Sequence, residues 1–410
     1  VPETLEIKKL GPIGKLTIHP KRLTILIGEQ ASGKSLVAQL LYFFRGLRSH
    51  VGRVYKPGLL DEEAWQAKTL RRILDGLRGV PFGYFANGTA TLRYHPHKHG
   101  VERQITVTHS NRACRPDKKL AAEMSQWARS WEDQPESLGK EREIAQVFIP
   151  TERSVFTRVS VGEPSVLYAH YQPDPLQRFA DLLHQALSVY PRAAEWDRLL
   201  ALASQGDHVP WIRAWRFLLD CQQRALGGGA YVPPSGPKKW KWRIGTEPKA
   251  IVLPIEATTS GQMEAWPFFA IAGVFATGYL HEAVNRYLNL YLEEPETHLH
   301  PRAQWEVMKA VVSLVWELDH SFVITTHSPF VTYCVNNMIQ KFLSYKGQLP
   351  GGEVGIDPNM VAAYRLKASP DRAPEDIMDR EQTNLIKLDE LDSVADEMGE
   401  EFERLLDMEG

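Results

Sequence analysis

Eight consecutive residues, Gly28, Glu29, Gln30, Ala31, Ser32, Gly33, Lys34 and Ser35, follow the pattern GxxxxGK[ST]. Glycines in such a loop let main-chain N–H groups turn toward phosphate oxygens, and a helix starting at Gly33 aims its positive end at them. In that chemistry Lys34 reaches the β- and γ-phosphates and the Ser35 hydroxyl ligates Mg²⁺. Ordinary residue frequencies bring four fixed positions together by chance in about one chain of this length per hundred. A glycine-rich turn without function is therefore the weaker reading.

Three further groups suit the same chemistry. Leu288 to Glu296 is a mostly apolar strand ending in Glu293-Glu294-Pro295-Glu296. Phosphate transfer needs one acid for the metal shell and can use a second to polarise the attacking water. Glu293 suits the metal role and Glu294 the water role. Taken alone, a strand running into a solvated acidic turn is the better reading, and the loop at 28–35 reverses it. Thr259-Ser260-Gly261-Gln262 leads into a helix upstream of that strand. A small-residue loop feeding a helix N-terminus is a second phosphate-binding device, with an ordinary N-cap at Ser260 as the bland alternative. Finally, Phe322 to Thr325 is an apolar strand that delivers His327, which can hydrogen-bond the γ-phosphate or the attacking water; a lone histidine is more often structural, but this one follows the acidic pair at the spacing of one helix and one strand.

The elements needed to position these groups can be read from the pattern. Leu5–Ile7 and Leu16–Ile18 form an opening strand pair around Gly11, Pro12 and Gly14. Leu23–Ile27 is a buried strand and Leu36–Leu47 a helix. Helical spacing recurs over 61–77, 118–131, 175–226, 266–288 and 303–318. Strands are expected at 83–94, 101–108, 145–149, 290–292 and 322–325, with a hairpin over 231–254. Gly227-Gly228-Gly229 reads as a linker. This alternation predicts an α/β fold with a mainly parallel core sheet, an antiparallel β subdomain and a short helical insert. The expected division is 1–170 for the lobe with the phosphate loop, 171–230 for the insert, 231–345 for the second part of the core, and 346–410 for a C-terminal strand and acidic helix.

Composition bounds the rest. The 410 residues are 43% hydrophobic and 24% charged, with a net charge of −2, so any nucleic-acid surface has to be local. Three distant cysteines, Cys114, Cys221 and Cys334, give neither a disulfide framework nor a zinc site, and a reducing cytoplasm is expected. No run reaches the roughly 18 apolar residues of a membrane helix. His95, His97 and His99 share a strand face and would suit a metal, but Pro96 and Gly100 favour a turn. Lys238-Lys239-Trp240-Lys241-Trp242-Arg243 reads as stacking on nucleic acid or as an amphipathic strand, the second being favoured. Asp389–Glu409 reads as a solvated acidic helix.

The four chemical elements, in this order, resemble the ABC-type ATPases related to Rad50, SMC and the OLD family. Glu293 to Pro301, EEPETHLHP, is similar to the OLD-like form of the acidic strand and the loop after it, and Thr259 to Gln262 to a shortened signature motif. His327 lies in a TTHSP switch motif. The resemblance covers roughly residues 1–50 and 250–335. It implies ATP and Mg²⁺ as ligands, with Gln146 as a glutamine that joins Ser35 and Glu293 around the metal. It also likens Arg153, in Ile149–Ser154, to a segment of small bacterial ATPases of the group. For both residues a structural role stands as the alternative. The resemblance further implies a homo-oligomer built from head-to-head dimers, in which Ser260, Gly261 and Gln262 of one copy face the γ-phosphate held by Lys34 of the other.

Within that group the chain lacks the heptads of a long coiled coil and shows no set of acids typical of a nuclease domain after His327. It resembles the stand-alone ATPase subunits of bacterial anti-phage systems such as PARIS or Septu, which hold an effector nuclease. The implied function is an ATP-hydrolysing scaffold and sensor that controls such an effector, with a phage protein as trigger. The alternative is a DNA-repair ATPase of the Rad50 or RecF kind that clamps DNA, so nucleic-acid binding stays open.

Overall fold

Leu23, Ile25 and Ile27 point to one side of their strand and Leu26 to the other, and all four are buried. A strand apolar on both faces belongs in the middle of a covered parallel sheet, and the structure places it there. The structure, a computed structural model, describes residues 2–62, 64–97, 101–141, 146–153, 174–189, 210–231, 241–244, 251–254, 257–276, 287–369, 373–388, 398–402 and 404.

The strands are β1 (Thr4–Leu10), β2 (Ile13–Ile18), β3 (Leu23–Gly28), β4 (Ala86–His95), β5 (Arg103–Thr108), β6 (Cys114–Pro116), β7 (Gln146–Ile149), β8 (Gly228–Tyr231), β9 (Lys241–Ile244), β10 (Ile251–Pro254), β11 (Asn289–Glu293), β12 (Ser321–Thr326), β13 (Val361–Leu366) and β14 (Glu375–Asp376). The α-helices are α1 (Lys34–Arg45), α2 (Leu47–Val54), α3 (Trp65–Arg78), α4 (Lys118–Asp133), α5 (Pro135–Glu141), α6 (Asp174–Val189), α7 (Pro210–Leu226), α8 (Ser260–Ile271), α9 (Pro301–Leu318) and α10 (Pro329–Ser344).

The core sheet has the order β14-β13-β3-β12-β11-β7, parallel except for β14. One face is covered by α6, α7, α8, α9 and α10 in a single apolar cluster. The other face meets α1 to α4 and a second sheet, β2-β1-β4-β5-β6, which is antiparallel throughout. Tyr42 of α1 packs edge-on against Phe148 and Tyr291, which stack on each other across β7 and β11. The fold class is therefore mixed α/β with a parallel core and an antiparallel subdomain.

Several expectations change in detail. Gly228 and Gly229 are not linker but part of β8, which joins β9 and β10 in a three-stranded antiparallel sheet. A Cβ on Gly228 would lie 1.9 Å from the Arg243 carbonyl oxygen, so the glycine is there for close strand approach. Trp242 is buried while its neighbours Lys241 and Arg243 are not, the pattern of an amphipathic strand; Lys238 to Trp240 lie outside the described residues. Trp215 of α7 is buried and Phe217 packs against the apolar cluster that covers the core sheet; the side chain of Trp211 is outside the description. His95 sits 3.5 Å from Glu102, and His99 is not described. Most of 389–409 also lies outside the description.

Candidate nucleotide site

The parallel strands deliver their C-terminal ends to one edge, where open α/β sheets bind ligands. There β3 runs into the glycine loop and α1, β11 ends at Glu293, β12 ends at Thr326 before His327, and β7 ends before Pro150. A cleft of 820 Å³ opens at this edge, lined by Gln30 to Leu36, Thr151, Glu152, Glu293, Glu294 and His327 among others. That volume suits a nucleotide.

The loop itself is held by its own backbone. Gly28 has φ 152° and approaches β13 so closely that a Cβ would lie 1.9 Å from the Leu366 carbonyl oxygen. Gly33 has φ 93° and sits under Pro12 and Ile13 of the β1–β2 turn. Ser32 Oγ donates to Glu29 O at 2.8 Å, closing the loop. Lys34 is buried, and its Nζ donates to Gly28 O at 2.8 Å and Glu29 O at 2.6 Å. Burial pushes the Lys34 ammonium down to about 8, with Glu294, Glu296 and Glu29 pulling against it.

The acid, the histidine and the lysine form one row. His327 Nδ1 lies 3.4 Å from Lys34 Nζ, and His327 Nε2 lies 3.2 Å from Glu294 Oε1. A neutral ring with its proton on Nε2 accepts from the lysine and donates to the carboxylate. Glu294 itself has φ 43°, a left-handed backbone uncommon for a residue with a Cβ, and its N–H donates to Thr325 O at 2.8 Å. Glu296 anchors the histidine's loop: its Oε1 accepts from Thr326 Oγ1 at 2.6 Å, His327 N at 2.8 Å and Ser328 N at 3.3 Å.

Glu293 is buried, and burial pushes its carboxyl up to about 7 against a hydrogen bond from Ser35. Among the described residues its Oε1 has no hydrogen-bond partner. An unpartnered buried carboxylate oxygen beside a serine hydroxyl, with Thr151 and Glu152 lining the same cleft, is a hard-oxygen donor set that fits Mg²⁺. Ser35 and Glu293 are the residues that would hold it, and the ion would supply neutralisation of phosphate charge.

Gln146 does not join them. It opens β7, opposite Asn289 at the start of β11, so it sits at the other end of the parallel strands from the loop. Its Oε1 accepts from the Tyr291 hydroxyl at 2.9 Å, and its amide packs against Gly46 at the far end of α1. Phe148 and Pro150 of this segment line the cleft, and the polar residues that reach it are Thr151 and Glu152. They lie just past the end of β7, inside the Ile149–Ser154 segment that the sequence singles out for Arg153 alone. Arg78 also lines the cleft, held by Gln39 Oε1 at 3.1 Å and stacked over Phe85, and no sequence signal marks it.

The signature segment is shaped by a capping box. Thr259, not Ser260, is the N-cap: its Oγ1 accepts from Gln262 N at 3.3 Å while Gln262 Oε1 accepts from Thr259 N at 3.0 Å. Gln262 Nε2 donates to Leu226 O at 2.8 Å, so this side chain is spent on structure. Ser260 is exposed at the start of α8. Neither it nor Gly261 lines the cleft around Lys34.

Residues 246–332 match the family model of an AAA ATPase domain, a span that holds the signature segment, both glutamates and His327. No curated protein matches the chain. Among solved structures the chain is similar to a Smc head bound to the C-winged helix domain of ScpA, at 15% identity over 82% of this chain and 92% of that one, with a TM-score of 0.41. It is also similar to a Smc head domain with an extended coiled coil bound to the C-terminal domain of ScpA, derived from Pyrococcus furiosus. There the identity is 12% over 96% of this chain and 98% of that one, with a TM-score of 0.39. The chain is an ATPase, and the cleft at the edge of its parallel sheet is where its loop, acids and histidine converge. Among the described residues no helix is long and apolar enough to cross a membrane.

Proposed function

We propose that the chain is an ABC-type ATPase that completes its nucleotide sites between two copies. In this reading it works as an ATP-gated scaffold and sensor, holding or releasing an effector nuclease in the cytoplasm as part of anti-phage defence. The observation that carries the two-copy reading is the split placement of the phosphate devices. Lys34, Glu294 and His327 share one cleft, while the exposed N-terminus of α8 lies outside it. A helix N-terminus with exposed Ser260 suits an anion, and the γ-phosphate bound by a second copy supplies one. ATP then acts as a tether between copies, and hydrolysis removes it. The effector, its identity as a nuclease and a phage protein as trigger follow from the resemblance of the motifs.

The test is the mass of the chain alone and co-expressed with its genomic neighbours, with and without ATP, using Glu294→Gln to hold the closed state. ATP-dependent assembly together with a copurifying nuclease is the expected result. A monomer under every condition, with full ATPase activity and no companion protein, overturns it. Binding of duplex DNA that needs ATP and weakens with salt would favour a DNA-clamping ATPase instead.

A further inference from the structure

We propose that Arg153 is a positioning residue that couples the two nucleotide sites of the assembly, setting Glu294 in one site according to the state of the signature helix in the other. The proposal rests on the two-copy reading above.

Arg153 is 1% exposed. Its guanidinium donates to main-chain carbonyls from three separate segments. Nε donates to Glu264 O of α8 at 2.7 Å. Nη1 donates to Pro150 O at 3.0 Å and to Glu293 O at 2.7 Å, and Nη2 donates to Glu294 O at 2.9 Å. The Glu264 carboxylate lies 3.5 Å from Nε, so the buried cation has a buried anion beside it.

Packing alone does not call for such a group. A buried ion pair costs desolvation, and an apolar side chain of similar volume commonly does as well or better for stability. What only arginine supplies is a flat, rigid fork of donors that spans several acceptors at once. Here the fork joins the end of the catalytic strand to the first turns of the signature helix. A second contact runs alongside it: a Cβ on Gly261 would lie 2.6 Å from His298 O, so α8 rests directly on the turn that follows Glu296. Pro267 inside α8 withholds the N–H that would close on the Met263 carbonyl, loosening the helix beside the point where the guanidinium enters.

The mechanical consequence follows from where the fork ends. Glu294 holds a left-handed backbone, and the direction of its carboxylate toward His327 depends on that backbone. Its N–H is fixed by Thr325, and its carbonyl accepts from Arg153 and from the N–H and hydroxyl of Thr297 in the turn that α8 rests on. When Ser260 and Gly261 engage the partner's phosphate, any displacement of α8 reaches the Glu294 carbonyl through one rigid group. Each site thereby reports its occupancy to the other.

Arg153→Lys keeps the charge and loses the fork. It should bind nucleotide within about 2-fold of the parent while kcat falls roughly 10-fold or more, the signature of a lost transition-state interaction. The parent should hydrolyse ATP cooperatively, and the variant should lose that cooperativity. Glu264→Gln keeps all four carbonyl acceptors and loses only the neighbouring anion, so a smaller drop in kcat, about 3-fold, is expected; it decides the matter should Arg153→Lys fail to fold. A non-cooperative parent overturns the proposal. So does parental kcat and cooperativity in the variants that bind nucleotide, even with a lowered Tm. Glu294→Gln and Ser260→Arg are assayed alongside. If both are inactive while Arg153→Lys behaves as the parent, only the coupling role falls. If Ser260→Arg remains fully active, the two-copy reading itself falls.

Discussion

Lys34 and Glu294 stand at the two ends of a short row with His327 between them, and each end has its own consequence. Lys34→Ala removes the main counter-charge to the phosphates from a buried position. Nucleotide affinity should fall roughly 100-fold, about 3 kcal/mol, as for the loss of one partner of a buried charge pair. Glu294→Gln keeps the shape and loses the base, so nucleotide should still bind while turnover falls roughly 100-fold or more. Equilibrium binding and phosphate release measured on both variants separate the two roles; normal turnover in Glu294→Gln removes its catalytic assignment. The cysteines give a test away from the site. Cys114 and Cys334 are buried and their thiols are pushed up to about 12 by desolvation, and Cys221 is pushed higher still. A raised pKa means less thiolate, so at pH 8 roughly one thiol in 10,000 is reactive by ionisation. The native chain should resist iodoacetamide until it is denatured, as read by mass; prompt alkylation would place these thiols at the surface. At this scale the placement was legible where residue type and local spacing mark a residue: Lys34, Ser35, Glu293 and His327 all line one cleft. Gln146 was misread because a residue's type does not say which end of a strand it occupies. Thr259 was readable after all, since Thr259 and Gln262 already have the spacing of a capping box.

Among the elements, α8 begins with an exposed Ser260 that lies outside the cleft around Lys34. Ser260→Arg should leave nucleotide binding by a single copy intact and stop hydrolysis, because a bulky cation blocks closure without touching the phosphate loop. Mixing Ser260→Arg with Lys34→Ala is the sharper experiment, since each mixed pair keeps one site built from intact halves and should regain part of the parental rate. Parental activity in Ser260→Arg alone would end the two-copy model. The strand–loop–helix around Lys34 and the strand before Glu293 were readable because apolar runs of five or six residues broken by glycine or proline have few other solutions. The glycine run at 227–229 was not, because a glycine needed for close strand approach looks the same as a glycine in a linker.

For the molecule as a whole, the alternation of helices and strands announced a parallel sheet, but not the order of its strands. That order depends on which non-local pairs bury the most apolar surface, and β13 is the telling case. It pairs with β3 in register Val361 to Leu23 through Leu366 to Gly28, on the side of the phosphate strand opposite β12. Removing residues 361–410 would expose one edge of β3 and uncover the parts of both apolar clusters that Ala363 and Tyr364 pack against. The shortened chain should be insoluble or fail to bind nucleotide, measured by fluorescent-nucleotide titration of whatever soluble fraction remains. Full nucleotide binding by it would mean that β13 is dispensable to the loop.

The fit of Gly28 against Leu366 also has a meaning in time. A ribosome makes Gly28 and the phosphate loop long before Leu366 and the strand that flanks it. Through that interval the growing polypeptide carries a loop whose supporting neighbour does not yet exist. Competence to hold nucleotide should therefore arrive only once β13 has been made and has paired with β3.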